Sequence, residues 1–503
     1  MWKGNLPVDQ CGILILGSPI GTEAFVKREL DKKLHEEVEF LDRIALIPNI
    51  QVSWLLMYYC GSPRATYLLR TTPPTLCQDY ANKRDAMIRK KLAKILNLTE
   101  TSLDRKAGQI HLPGRLGGLG LNSSERSSPS AYWGSWADVL PILQQRLPGL
   151  IAQIKPIFIQ LAISNESIHS HTALRNLHQA ALLLNNEGFS NLPSWEDLMQ
   201  GYNPSEPDTD DESDNEPGQR RKGWQRIASH TREKHFHVNF ISQLGNGDKA
   251  RLRSCSGPNA ARWLYTIPCE KAFRLTSPEF RCALSRRLGL PIEAVADVCE
   301  GCGHVLDEFG WHRSTCMRTG RVQTRHKPLI YVWQRVFREA GIPIPDRNRE
   351  RMLCTTHINR GEHDARRMDL ITSGIDGVFQ GSPLFMDITI ISPLHGNGRA
   401  MPNSSRIDGA ACIRADVRNR EDDYPDVHQA DSAQLLCLAS ETYGRWGDHC
   451  ITLVRQLARF KAKNYPEYLQ ASVVNKSLSR WWGMLAISLQ RIVIDSIISL
   501  TGG

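Results

Sequence analysis

Cys299, Cys302, His312 and Cys316 form a C-x2-C-x9-H-x3-C pattern, and this short cluster constrains the chain more than any other feature of it. Zinc takes four soft or borderline ligands at the corners of a tetrahedron. A two-residue gap lets both thiolates of a knuckle reach one ion, and H-x3-C brings the second pair from about one helical turn. Gly301 and Gly303 allow the tight backbone turn around the first two sulfurs. His304 competes with His312, but its closeness to Cys302 makes it the poorer ligand. Four protein ligands leave no open position, so the expected zinc is structural rather than catalytic. A second pair, Cys354 and His357, has C-x2-H spacing without convincing partners nearby and is read as no metal site.

Reading cysteines as ligands requires a reducing compartment. The 13 cysteines are scattered rather than evenly paired, and Met1 to Pro7 lacks the apolar core of a secretory signal. No apolar run reaches membrane-spanning length. The segment Trp481 to Leu500 comes nearest, but Arg491 and Asp495 interrupt it, and it reads as an amphipathic helix packed on the body. At 503 residues with 41% hydrophobic side chains, the chain is long enough for about three cored units. Its net charge of +9 understates the basic surplus, because Glu206, Asp208, Asp210, Asp211, Glu212, Asp214 and Glu216 are crowded into one stretch. The remainder is a surface that attracts polyanions, nucleic acid first among them.

That acidic stretch, Asn203 to Arg221, is rich in Pro and Ser and nearly free of apolar residues, so it is expected to be a disordered linker. Before it, Gly12 to Leu16 reads as a strand, Gly17-Ser18-Pro19 as a turn, and the residues after it as a helix. From Val52 to about Leu98 apolar residues recur at helical spacing, with breaks at Pro63 and Pro73-Pro74. A Gly-rich stretch, Leu112 to Leu121, precedes more helix from Tyr132 to Ile163. After the linker, helical segments run to Leu290.

Beyond the cysteines, Thr324 to Ala340 forms an amphipathic helix. Leu329, Trp333, Val336, Phe337 and Ala340 make its buried stripe, Arg325, Lys327, Arg335 and Arg338 supply basic charge, and Gly341 ends it. Arg366 to Ile371 and Leu384 to Ile391 read as two strands around a turn region at Ser373 to Gly377. Period-2 geometry sets Asp387 and Thr389 on one face and Leu384, Met386, Ile388 and Ile390 on the other. On a hairpin, Asp369 and Asp387 can lie near each other at the strand ends. Two such carboxylates repel unless a cation holds them, and Mg²⁺ suits hard oxygen ligands while keeping water to activate. Surface acids on a hairpin are the alternative reading. Against it stands Asp387 inside an apolar segment, where an unpaired carboxylate is costly.

The succession of these motifs resembles the endonuclease region of non-LTR retrotransposon proteins that carry a restriction-enzyme-like nuclease of the PD-(D/E)xK class. It runs from the knuckle through Arg325-His326 opening a helix and Arg367-Met368-Asp369 to Asp387-Ile388-Thr389. Upstream, Gly12 to Phe25 is similar to the segment after the polymerase catalytic motif, and Leu112 to Leu121 to the stretch near the thumb. Ser254 to Leu264 and Phe280 to Leu290 are similar to the connecting region before the knuckle.

The resemblance implies an α+β chain with a mainly helical N-terminal half. It would comprise a palm remnant (1–45), a thumb and helical connection (46–202), the linker (203–222), a further helical connection (223–298), the knuckle (299–320), an α/β nuclease (321–460) and a helical tail (461–503). Asp369 and Asp387 would bind Mg²⁺ or Mn²⁺. Arg420, Tyr424 and Glu441 would complete the catalytic set, while Arg325, His326, Arg335, Arg366, Arg367 and Arg418 would contact nucleic acid. The implied reaction nicks target DNA and leaves a 3′ hydroxyl to prime reverse transcription. Target DNA, element RNA and a full-length reverse transcriptase are the implied partners, and the nucleus the implied location.

Three departures qualify the resemblance. Met368 stands where proline is usual. Arginine, with Arg420 as the candidate, stands where lysine is usual, and arginine stays protonated and cannot serve as a base. No aromatic-x-Asp-Asp motif is present, since Asp210-Asp211 and Asp422-Asp423 lie in other contexts, so the chain is not expected to polymerise DNA. A catalytically inactive, nucleic-acid-binding remnant is the alternative.

Overall fold

The computed structural model describes residues 6–163, 172–202, 223–292, 298–358 and 364–498, and these form an α+β structure dominated by helices. The acidic stretch read as a linker lies outside the described residues. Among the described residues, no helix is long and apolar enough to cross a membrane.

The N-terminal strand is a hairpin. β1 (Gly12–Ile15) pairs antiparallel with β2 (Ser18–Gly21), turning at Leu16 and Gly17 with φ of +50° and +85°. Two successive left-handed residues match the strands' right-handed twist, which moves the turn one residue earlier than expected and frees Pro19 for an edge strand. Helix α1 (Glu23–Ala45) follows, its first turn capped by Thr22. The stretch after Asn49 is broken as expected near Pro63 and Pro73. It then runs on as α2 (Pro74–Leu96), which Asn97 ends in the left-handed conformation. Helix α3 (Ser124–Arg146) is capped by Ser123.

Buried Arg84 joins these three helices. Its guanidinium donates to Glu37 Oε2 at 2.7 Å, to Gly61 O at 2.6 Å and to Ser124 Oγ at 3.0 Å, and Tyr80 Oη donates to Glu37 Oε1 at 2.7 Å. A buried ion pair persists when its remaining hydrogen-bonding sites are filled in this way. On its far side α3 packs with α4 (Trp224–Ser242) and neighbouring helices in a satellite core around Trp133, Leu177 and Trp224.

The Gly-rich stretch is a buried crossing. Arg287, on α5 (Ser277–Leu288), donates to the carbonyls of Gly118 at 3.0 Å and Gly114 at 2.9 Å. A Cβ on Gly118 would stand 2.0 Å from the Leu112 carbonyl oxygen, so only glycine permits the chain to fold back there.

After the knuckle, α6 (Lys327–Glu339) begins three residues later than the apolar pattern suggested. Pro328 occupies its first turn and the preceding turn, Arg321–Thr324, is separate. Four strands follow: β3 (Arg349–Met352), β4 (Arg367–Thr372), β5 (Leu384–Ile391) and β6 (Gln434–Glu441). They lie in sequence order, antiparallel except for the β5–β6 pair, which is parallel. The crossover between β5 and β6 carries α7 (Ala410–Arg418), and β6 leads into α8 (Asp448–Ala462) and α9 (Glu467–Ile497).

One apolar core runs through Ile44, Leu92, Phe280, Trp333, Met386, Leu453 and Trp481, from α1 to α9. Helix α9, expected as a tail, is therefore a central element: Trp481, Leu485 and Leu489 are fully buried. A polar clasp reinforces it, with Arg480 and Arg335 sharing Glu339 and Glu270, and Trp481 Nε1 donating to Glu339 at 3.0 Å. Trp333 sits at the meeting of α6, the sheet and α9. Trp333→Ala is expected to cost about 3–5 kcal/mol, read as a lower midpoint in urea unfolding.

Candidate metal centre and acidic row

The four zinc-pattern residues converge. Their ligand atoms all lie within 4.8 Å of one another, and among the described residues no other group of three or more such side chains is as close. Cys316 Sγ is 3.8 Å from both Cys299 Sγ and Cys302 Sγ, and Cys302 Sγ is 3.2 Å from His312 Nε2. A sulfur–sulfur bond is roughly 2.05 Å long, so these are not disulfides. A zinc tetrahedron with bonds of about 2.3 Å spaces its sulfurs at about 3.8 Å. The donor set therefore fits a metal ion such as zinc. His304 stacks on the His312 ring at 5.0 Å and is not among the four.

Local chemistry explains the convergence. Cys299 N donates to His304 O, and Gly303, at φ +68°, closes the turn on Cys299 O. Gly301 is required for a different reason: a Cβ there would meet the Arg318 backbone at 2.8 Å. Asp307 caps the helix Trp311–Thr315, accepting from the amides of Trp311 and His312, and so fixes His312 one turn before Cys316. Burial pushes the Cys299 thiol up, but the amides of Gly301 and Cys302 and the His312 ring outweigh it and bring it down to about 6. A thiolate is thus favoured where a cation would sit.

The second site is a row across the sheet. Arg349 lies opposite Leu370 and Arg351 opposite Met368, which sets Glu350 against Asp369. Leu370 lies opposite Met386, so the next step along the strands sets Asp369 against Asp387. Cys437 of β6 continues the row beside Asp387. The expected alternation on β5 holds, with Leu384, Met386, Ile388 and Ile390 buried and Asp387 and Thr389 half-buried. Asp369 is buried and accepts from Ile388 N at 2.8 Å.

Burial raises the pKa of both aspartates to about 7. Asp387 is pushed further by Asp369 beside it, and Asp369 by Glu350, while His326 and Arg418 pull Asp387 down and Lys327 pulls Asp369 down. His326 Nε2 stands 3.7 Å from Asp369 Oδ1, and Lys327 Nζ stands 3.5 Å from Glu350 Oε1. Tyr424 donates to Arg367 O at 2.8 Å beside Asp387. Glu350 has φ +47°, a strained backbone for a non-glycine residue.

The remaining expected site residues are distributed differently. Arg418 pairs with Asp423, Nε to Oδ2 at 3.1 Å, and lies near enough to Asp387 to pull its pKa down slightly. Arg420 instead turns back to Asp416 Oδ2 at 2.7 Å, its neighbour one helical turn earlier, and a π-helical turn, Asn419–Asp423, follows α7. Glu441 lies four residues along β6 from the row, buried beside Arg445, and caps α7 by accepting from Ala411 N at 3.1 Å. Three expected nucleic-acid contacts have partners within the fold. Arg325 is buried on backbone carbonyls, Arg335 belongs to the Glu339–Glu270 clasp, and Arg366 is held by Asp364 and Asp426 at 2.9 Å each. Arg367 is exposed, and His326 faces the acids rather than solvent.

Glu350 and Lys327 were not assigned to the site from sequence. Glu350 lies on a short half-exposed strand with no apolar alternation, and Lys327 read as one charge on a basic helix face. No protein-family model matches this chain and no curated protein matches it.

Two outcomes follow. Removing the metal from the knuckle with a chelator, or Cys316→Ser, is expected to lower the melting temperature by on the order of 5 °C, read by calorimetry with metal content measured alongside. A carboxyl whose folded pKa lies above its unfolded value destabilises the fold above about pH 7, and this cost vanishes as pH falls toward 4. Asp387→Asn is therefore expected to stabilise the protein freed of divalent cations by about 2 kcal/mol at pH 8 and negligibly at pH 4, read from urea midpoints at both pH values.

Proposed function

We propose that this chain is a non-LTR retrotransposon protein whose C-terminal sheet nicks DNA with the help of Mg²⁺ or Mn²⁺. The observation that carries this reading is the row of Glu350, Asp369 and Asp387, three acids on three neighbouring strands, two of them with strongly raised pKa values. Carboxylates desolvated and crowded this way gain most from a divalent cation, and hard oxygen donors are what Mg²⁺ takes. When bound, such a cation supplies charge neutralisation at the scissile phosphate and a water more easily deprotonated. Asp369 and Asp387 are the residues to hold it.

The chain's own groups supply the rest. Ile388 N holds the Asp369 carboxylate in one orientation. His326, Lys327 and Arg418 set positive or proton-accepting groups around the row, where a phosphodiester would bring negative charge. Exposed Arg367 is the remaining backbone-contact candidate. The knuckle is read as structural, and target DNA, element RNA and a full-length reverse transcriptase as partners in the nucleus. Polymerisation is not part of this reading, since no aromatic-x-Asp-Asp motif is present.

A second reading, a nucleic-acid-binding remnant without catalysis, is favoured by one observation: Arg420 is paired with Asp416 and cannot accept a proton. A supercoiled-plasmid assay separates the two. With Mg²⁺ or Mn²⁺ the chain is expected to produce nicked circles, and Asp387→Ala to reduce the rate by on the order of a hundredfold. Binding that weakens steeply with salt, without any metal-dependent nicking, supports the remnant.

A further inference from the structure

We infer that Arg325 is a positioning residue through which the metal-binding knuckle controls the geometry of the acidic row. The consequence for catalysis rests on the nuclease reading above; the consequence for cation binding by the row does not.

Arg325 lies between the short helix Arg321–Thr324 and α6, and its side chain is buried. Nη1 donates to Ser314 O at 2.6 Å, and Ser314 sits in the turn between His312 and Cys316. Nη2 donates to Ile390 O, three residues beyond Asp387 on β5. One planar fork therefore spans the knuckle's second ligand pair and the strand bearing an acid of the row. Burial, with Arg286 nearby, brings this guanidinium down to about 10, a measure of how completely it has left water. A lysine cannot replace it, because a single ammonium lacks the two divergent in-plane donors.

The next two residues carry the consequence. His326 reaches Asp369 at 3.7 Å and Lys327 reaches Glu350 at 3.5 Å. Three consecutive residues thus tie the metal-binding turn to all three strands of the row. With the four ligands unbound, the Asp307 cap and the Arg313–Ile497 bond still hold the helix, but the turn from His312 to Cys316 loses the constraint of the metal, so the acceptor of one prong and the two residues beyond the fork are held less firmly against the acids. The same helix provides an internal control. Arg313 donates to Ile497 O at 2.7 Å, anchoring the knuckle to the end of α9 and away from the row.

The test uses the full chain as wild type, Arg325→Lys and Arg313→Lys. It measures zinc content, Mn²⁺ affinity by electron paramagnetic resonance, plasmid nicking and melting temperature. Arg325→Lys is expected to keep its zinc, weaken Mn²⁺ binding by on the order of tenfold, and lower kcat by a similar factor with little change in KM for DNA. Arg313→Lys is expected to lose comparable thermal stability with both quantities unchanged. Removing zinc from the wild type with a zinc-selective chelator is expected to reproduce the weakened Mn²⁺ binding, and restoring zinc to reverse it. Equal effects from both variants, or Mn²⁺ affinity that is indifferent to Arg325→Lys, would overturn the inference. Should Arg325→Lys not fold, the chelation and zinc-readdition cycle decides alone: unchanged Mn²⁺ affinity overturns it. If no form nicks DNA yet Mn²⁺ affinity follows Arg325 and zinc, the inference holds and the nuclease reading fails.

Discussion

A guanidinium taken out of water must find acceptors for its planar N–H groups, and this chain meets that requirement largely with backbone carbonyls at the joints between its parts. Arg84 closes the N-terminal helices on Gly61, Arg287 closes the Gly-rich crossing on Gly114 and Gly118, Arg313 holds the knuckle to Ile497, and Arg325 holds it to Ile390. Carbonyls do not titrate, so the Arg287, Arg313 and Arg325 joints are indifferent to pH, whereas Arg84 also leans on the Glu37 carboxylate.

The two candidate sites depend on that framework in different ways. The knuckle gathers its ligands by local means, a two-residue turn and a capped helical turn, and needs little from the rest of the fold. The acidic row is assembled from three strands that only the sheet brings together, and its two aspartates are raised because their burial dehydrates them. Placing acids where they repel costs stability. A site that binds a cation recovers that cost on binding, which is the physical reason to read the row as functional.

Legibility in the sequence followed the range of the interaction. The Cys3His group, the alternation of β5 and the buried stripe of α6 were readable, since each is a short-range pattern of side-chain type, whereas α9, expected to be amphipathic, is buried at nearly every position from Trp481 to Ile497. β6 was not assigned, although Leu435 to Ala439 is a continuous apolar run of the kind a strand buried on both faces shows. β3 offered no such signal. Arg420 was the candidate basic residue, but it pairs with Asp416 one turn back, while Arg418, two residues earlier, is the arginine close enough to Asp387 to lower its pKa. Arg325 looked like a surface charge because burial of an arginine depends on carbonyls far away in sequence.

From the order of its residues alone, this chain determined a Cys3His group able to hold a metal, an α+β class with a mainly helical N-terminal half, and two aspartates set for neighbouring strands. Only the tertiary structure decided that Glu350 joins them, that Lys327 and His326 face them, and that several arginines serve as internal clasps. The physical reason is that spacing and periodicity act within a few residues, whereas desolvation and charge proximity belong to groups brought together by the whole fold.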